Sequence, residues 1–252
     1  MSSPPVIAEP QERLIRIAGL PAVSALFSRD PDRIERLFFD TRTAAAALEL
    51  CRVLARARKP FRQVDGDELA RVAGTMLHGG IVAVARPRPV LAFDPAVARR
   101  WSGPILMLDG VGNPHNLGAI VRTAAFFGLD RLVISGHPGQ AGPSEAAHRV
   151  AEGGLEHVTL YRADPIAAVL RTLQASHLVV GTALERGRPL DVADLQRSTR
   201  PVVLVLGNEE IGLPPPTLEA CEAVVTITGS GRVQSLNVAA TAAILIHALT
   251  RG

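Results

Sequence analysis

Three stretches of this chain gather amides, carboxylates, guanidinium and hydroxyl groups around glycines. The first runs from Asp109 through Gly110, Gly112, Asn113 and Asn116 to Arg122. The second is Gly207-Asn208-Glu209-Glu210-Ile211-Gly212. The third runs from Thr228 through Gly229, Ser230 and Gly231 to Ser235-Leu236-Asn237. Glycine lets a ligand approach the main chain closely, and Gly207 is read in that way. Glu209 can accept hydrogen bonds from a bound molecule or orient an arginine. The planar fork of Arg122 suits phosphate and other oxyanions. Ser235 or Asn237 can cap a helix whose free N–H groups attract anions. Asn116 can cap the helix that carries Arg122, and the six-residue spacing is read as bringing Arg122 back over the same rim. Plain capping with a surface arginine, or an ordinary polar loop, accounts for the first two stretches equally well. It explains two polar residues on either side of a buried Leu236 less easily.

Chemistry at such loops needs elements to hold them in one place. Short apolar runs at 105–108, 131–135, 157–160, 178–180, 202–206 and 224–227 alternate with helical stretches at 119–127, 165–175, 215–221 and 236–249. Nearly all-apolar strands separated by helices predict a parallel sheet covered on both faces. Ligands of such sheets bind beyond the carboxyl ends of the strands, and each of the three stretches directly follows a strand.

Further toward the N-terminus, 34–39 and 81–85 read as strands and 21–27, 43–58 and 67–73 as helices, a small α/β sandwich. Prolines from Arg86-Pro87-Arg88-Pro89 to Gly103-Pro104 remove backbone donors and favour extended chain. The expected organisation is therefore a front domain over 1–86, a linker over 87–101 and a back domain over 102–252. Residues 1–100 carry 16 basic and 11 acidic side chains, net +5, whereas 101–252 carry 11 and 13, net −2. A polyanion held mainly by the front domain fits this split. Arginine outnumbers lysine 26 to 1, which a GC-rich genome also produces.

Several classes are disfavoured. The 252 residues include two cysteines, neither beside a metal-ligand partner, so a disulfide framework or zinc site is not expected and a reducing cytoplasm fits. The first residues lack the pattern of a signal peptide. The apolar stretch 233–250 contains Gln234, Asn237 and His247, as a buried helix does and a membrane span does not. After Gly110 and Gly112, His115 stands where a dinucleotide fingerprint needs its third glycine, and Lys59 is the only lysine, so no phosphate-binding P-loop exists.

In order along the chain, the three stretches resemble the three motifs of the SpoU/TrmH branch of the SPOUT RNA methyltransferases. Asn113, Asn116, Gly118 and Arg122 match the first. Leu206-Gly207-Asn208-Glu209 with Gly212-Leu213 matches the second. Ile227, Gly231 and Ser235-Leu236-Asn237-Val238 match the third. Ala151-Glu152-Gly153-Gly154-Leu155-Glu156-His157 is similar to the family's Ser-Ala-Gly-Ala-x-Glu-His. The resemblance covers about 104–250. His78-Gly79-Gly80-Ile81-Val82-Ala83 resembles, more loosely, the closing strand of a ribosomal-protein-like α/β RNA-binding domain.

The resemblance implies an S-adenosyl-L-methionine-dependent methyltransferase acting on a ribose 2′-hydroxyl of structured RNA; ribosomal RNA is slightly favoured over transfer RNA, and both stay open. It implies an α/β parallel-sheet domain closed by a trefoil knot, a homodimer, no membrane and no metal. Arg122 is implied as the catalytic arginine; in the variant favoured on chemical grounds it stays charged and is expected to be oriented by Glu209. Asn116, Glu209, Ser235 and Asn237 complete the site, with members from both subunits. Gly207, Ile227 and Leu236 contact the cofactor. Thr228-Gly229 replaces the proline-containing start of the third motif, Gln234 stands where an acid often precedes the serine, and Ala239 replaces a serine. A non-catalytic RNA-binding protein of the same fold is the alternative reading.

Overall fold

The computed structural model describes residues 13–184, 187–189 and 198–250. Two sheets organise the chain. The front sheet contains β1 (Ile15–Ala18), β2 (Ile34–Phe39), β3 (Phe61–Gln63) and β4 (Ile81–Ala85), in the order β1-β4-β2-β3. The β1–β4 and β4–β2 pairs are antiparallel; β2 and β3 are parallel. Helices α1 (Leu20–Arg29) and α2 (Ala44–Arg56) cover one face through Val23, Leu26, Ala47 and Leu54, and α3 (Gly66–Ala73) covers the other through Leu69. This is the expected sandwich.

The larger sheet has eight strands, all parallel. They are β5 (Leu91–Ala92), β6 (Ile105–Asp109), β7 (Arg131–Ser135), β8 (Thr159–Ala163), β9 (Leu178–Thr182), β10 (Arg188–Pro189), β11 (Val202–Gly207) and β12 (Ala223–Thr226). Their order is β10-β12-β9-β11-β6-β7-β8-β5. Every residue of β6 and β11 is buried, as strands covered on both sides require. Alternation sorts their side chains. Leu106, Leu108, Leu204 and Leu206 pack on α5 (Pro114–Phe126), α6 (Glu145–Ala151) and α10 (Val238–Thr250). Ile105, Met107, Val203 and Val205 pack on α4 (Pro95–Ala98) and α8 (Ile166–Leu173).

Helices α7 (Gly154–His157) and α9 (Pro215–Glu219) are single turns. No described helix is long and apolar enough to cross a membrane.

Several local expectations are corrected. His157 ends α7 rather than opening a strand, and β8 starts at Thr159. Residues 87–101 contain both α4 and β5, and β5 pairs with β8 at the sheet edge. Helix α5 begins five residues earlier than read. Its cap is Asn113, whose side chain accepts a hydrogen bond from the His115 N–H. Pro114 at the first helical position is compatible with that start, because its missing N–H would have no partner there anyway. Asn116 therefore lies inside the helix.

The two sheets are joined by charge. Arg33, just before β2, donates from Nη1 to Glu156 Oε2 at 2.7 Å, and both side chains are almost fully buried. Arg88 donates to the Leu155 and Val158 carbonyls. Arg16 of β1 donates to Glu145 at the start of α6. Gly153 sits so near α1 that an added Cβ would lie 2.8 Å from the Cβ of Ala25.

Candidate functional site

The carboxyl ends of β6, β11 and β12 lie close together because β6 pairs with β11, β11 with β9 and β9 with β12. The loops leaving those ends converge. Asn208 donates from Nδ2 to the Gly110 carbonyl at 2.8 Å, and its Oδ1 accepts from the Glu210 and Ile211 N–H groups. The loop folds back on itself through paired backbone bonds between Asn208 and Gly212. At Gly207 a Cβ would stand 2.4 Å from the Gly212 carbonyl carbon and the Leu213 nitrogen. That glycine is required by its own loop's return.

The centre of the site is a chain of side-chain hydrogen bonds across all three stretches. Asn116 is buried on α5. It donates from Nδ2 to Glu209 Oε1 at 2.6 Å, and its Oδ1 accepts from Asn237 Nδ2 at 3.1 Å. Asn237 in turn caps α10, accepting from the Ala239 N–H at 2.8 Å. A buried amide with both ends engaged fixes both neighbours. The first stretch is braced from below by Gln140. Its Oε1 accepts from the Gly110 and Val111 N–H groups, and its Nε2 donates to the Val111 carbonyl.

Beside this chain lies a cavity of about 480 Å³ between the loop at Gly207–Gly212, the loop at Thr226–Leu236 and the end of β9. Gly207, Glu209, Ile227, Ser235 and Leu236 all line it. Leu236 is exposed toward this space rather than buried, correcting the sequence reading. A Cβ added at Gly229 meets nothing within 4 Å, so the altered start of the third motif leaves this wall open.

Arg122 stands apart from these groups. Six residues at about 100° each carry it about 120° around α5 from Asn116, not back beside it. Its Nη2 pairs with Glu152 Oε2 at 2.9 Å, with both side chains about half exposed. Glu209 does not orient it, since the Glu209 carboxylate is bound to Asn116. Of the eight expected site residues, seven therefore gather at one rim and one does not.

Three features around the site had no local signal: the Gln140 brace, the pairing of Glu152 with Arg122, and the seam formed by Glu156 with Arg33. His148 of α6 faces that seam, with Nδ1 4.0 Å from Glu156 Oε1. Burial, with the charges of Arg33 and Arg88, pushes its pKa down to about 3, so it is neutral at pH 7.

Residues 103–247 match the model of the SpoU rRNA Methylase family. This chain belongs to that family. Residues 16–91 match a second model, RNA 2′-O ribose methyltransferase substrate binding. The relative named uncharacterized tRNA/rRNA methyltransferase YfiF, from Escherichia coli O157:H7, is 34% identical over 96% of this chain and 70% of its own length. The 23S rRNA (guanosine-2′-O-)-methyltransferase RlmB of Acinetobacter baylyi is 33% identical over 92% of this chain and 95% of its own. An S-adenosylmethionine-bound rRNA methyltransferase from Sinorhizobium meliloti shares the fold, with a TM-score of 0.76 at 24% identity, covering 95% of this chain and 87% of that one. The chain thus pairs a SpoU rRNA methylase domain with a front domain of the RNA 2′-O ribose methyltransferase substrate-binding type.

Proposed function

We propose that this enzyme methylates a guanosine 2′-hydroxyl of 23S ribosomal RNA in the cytoplasm, as a homodimer whose back domain carries the family's trefoil knot. The observation that carries the reading is the Glu209–Asn116–Asn237 chain, which ties the three motif loops together beside a cavity of about 480 Å³. The full-length similarity to 23S rRNA enzymes favours the ribosomal substrate. Exposed Arg36, Arg52, Arg56, Arg58 and Arg71 on the front domain supply cations for an RNA backbone.

The cavity suits the cofactor in size, within the range of small-molecule sites, and in having walls of backbone and apolar side chains. Gly207, Ile227 and Leu236 are the residues that would hold it. S-Adenosylmethionine, when bound, supplies an electrophilic methyl group on its sulfonium. The protein's task is to align the ribose oxygen and to favour the charge developing there. Ser235 and Asn237 hold a sugar hydroxyl or phosphate near the start of α10. Glu209, fixed by Asn116, accepts a hydrogen bond from the incoming nucleotide. Arg122 remains charged, since a guanidinium is very hard to deprotonate. It grips the ribose and adjacent phosphate and stabilises the nascent alkoxide. Because it lies outside its own chain's cluster, a second copy would deliver this arginine to the first copy's cavity.

The test is 2′-O-methyl mapping of 23S rRNA from a strain lacking the gene, before and after treatment with purified enzyme and cofactor. One restored guanosine is expected. Restoration only in transfer RNA would overturn the substrate assignment, and a strictly monomeric active enzyme would overturn the shared site.

A further inference from the structure

We propose that Glu152 is the positioning residue of Arg122, an inference that rests on the role given to Arg122 above. Glu152 sits at the C-terminal end of α6 with φ 44° and ψ 44°, a left-handed conformation. Glycine adopts that backbone without cost, whereas a residue with a Cβ is destabilised there. An exposed ion pair returns little stability, and less than that backbone costs. The glutamate therefore sits against the local backbone preference, and the Arg122 guanidinium is the group it contacts, at 2.9 Å.

The surroundings are built for the contact. Two residues on, Gly154 packs against Arg122 itself: an added Cβ would stand 3.1 Å from the Arg122 Cα. Farther along, Glu156 is held in the buried pair with Arg33. The 152–156 segment is thus pinned at one end and presents its carboxylate at the other. The pair occupies Nη2 of Arg122, leaving Nε and Nη1 for a ribose or phosphate oxygen. A long side chain on an exposed helix face otherwise samples many rotamers, and misplacement of a catalytic group is costly in rate.

The experiment compares wild type, Glu152→Gly, Glu152→Gln and Arg122→Ala. It measures melting temperature, S-adenosylmethionine affinity by calorimetry, and single-turnover transfer to total RNA from the strain lacking the gene. Glu152→Gly is expected to melt at or above the wild-type temperature and to bind cofactor normally. Its single-turnover rate should fall by about ten- to a hundredfold with the RNA concentration dependence little changed. Glu152→Gln, which keeps an acceptor oxygen, should fall between. A melting temperature several degrees lower for Glu152→Gly would make Glu152 merely structural and overturn the proposal. So would a wild-type rate for Glu152→Gly beside an inactive Arg122→Ala, which leaves the reading of Arg122 intact. A wild-type rate for Arg122→Ala, or no transfer by wild type, overturns both.

Discussion

Two arginine–glutamate pairs share the short segment between α6 and β8 and have opposite surroundings. Arg33–Glu156 is 7% and 2% exposed, whereas Arg122–Glu152 is 55% and 47% exposed. The bond lengths, 2.7 and 2.9 Å, barely differ. What differs is the solvent each pair has given up. A buried pair repays its lost hydration only while both charges are present, so losing one partner strands the other in a poor dielectric. An exposed pair has little to lose, and water and salt replace either partner readily. The same chemistry therefore makes a buried seam between the two domains at Glu156 and a solvent-exposed contact with Arg122 at Glu152.

The largest effect is expected at the seam. Glu156→Gln leaves the Arg33 charge without its counter-ion, and should destabilise the fold by about 3–5 kcal/mol in urea titrations. Replacing both partners, with Arg33→Met and Glu156→Leu together, should recover most of that loss. A single-variant loss below about 1 kcal/mol would break the comparison, because burial would then not set the worth of the pair.

The next effect sharpens it through pH. His148 beside the seam has its pKa pushed down to about 3 by burial and by the charges of Arg33 and Arg88. In the unfolded chain it titrates near the ordinary value of about 6.5. Above that pH neither state binds the proton, and the His148 contribution is constant. Between about 6.5 and 3 the unfolded chain takes a proton that the folded chain refuses, so stability is lost as pH falls. The loss amounts to a few kcal/mol, on the order of 1.4 per pH unit below 6.5. His148→Leu should flatten the stability profile in that window; an unchanged slope would show that His148 is not held neutral.

Legibility in the sequence followed the range of the signal. The buried strands β6, β7 and β11 stand out because uninterrupted apolar runs identify them, and their ends moved by at most one residue. β3 is exposed at all three of its residues and β5 has two residues, so neither carries a period to detect. The motif loops were visible as clusters of polar residues and glycine, but their wiring was not. Asn116 and Glu209 are 93 positions apart, and Arg33 and Glu156 are 123 apart. No local pattern joins such pairs. Arg122 was misplaced through helix phase: six residues fall well short of two full turns, which turns the side chain away from Asn116. Asn113 and Asn116 are both competent caps, and Pro114 was the residue that distinguished them.

The smallest effect belongs to a third pair, intermediate between the two compared. Arg16 donates from its backbone N–H and from Nε to Glu145 Oε1, at 2.9 and 2.7 Å, joining β1 to the first turn of α6. Its side chains are 37% and 32% exposed, so much of their hydration survives. Unlike Glu156, Glu145 would be replaced by glutamine without stranding a buried charge, and the amide oxygen could still accept both N–H groups. Glu145→Gln should therefore cost about 1 kcal/mol or less, and the cost should shrink at high salt. Measured in one urea series with Glu156→Gln and Glu152→Gly, it tests whether stability loss follows burial across three glutamates that contact arginine. A loss at Glu145 equal to that at Glu156 would mean that joining the two domains, rather than lost hydration, sets the worth of these pairs.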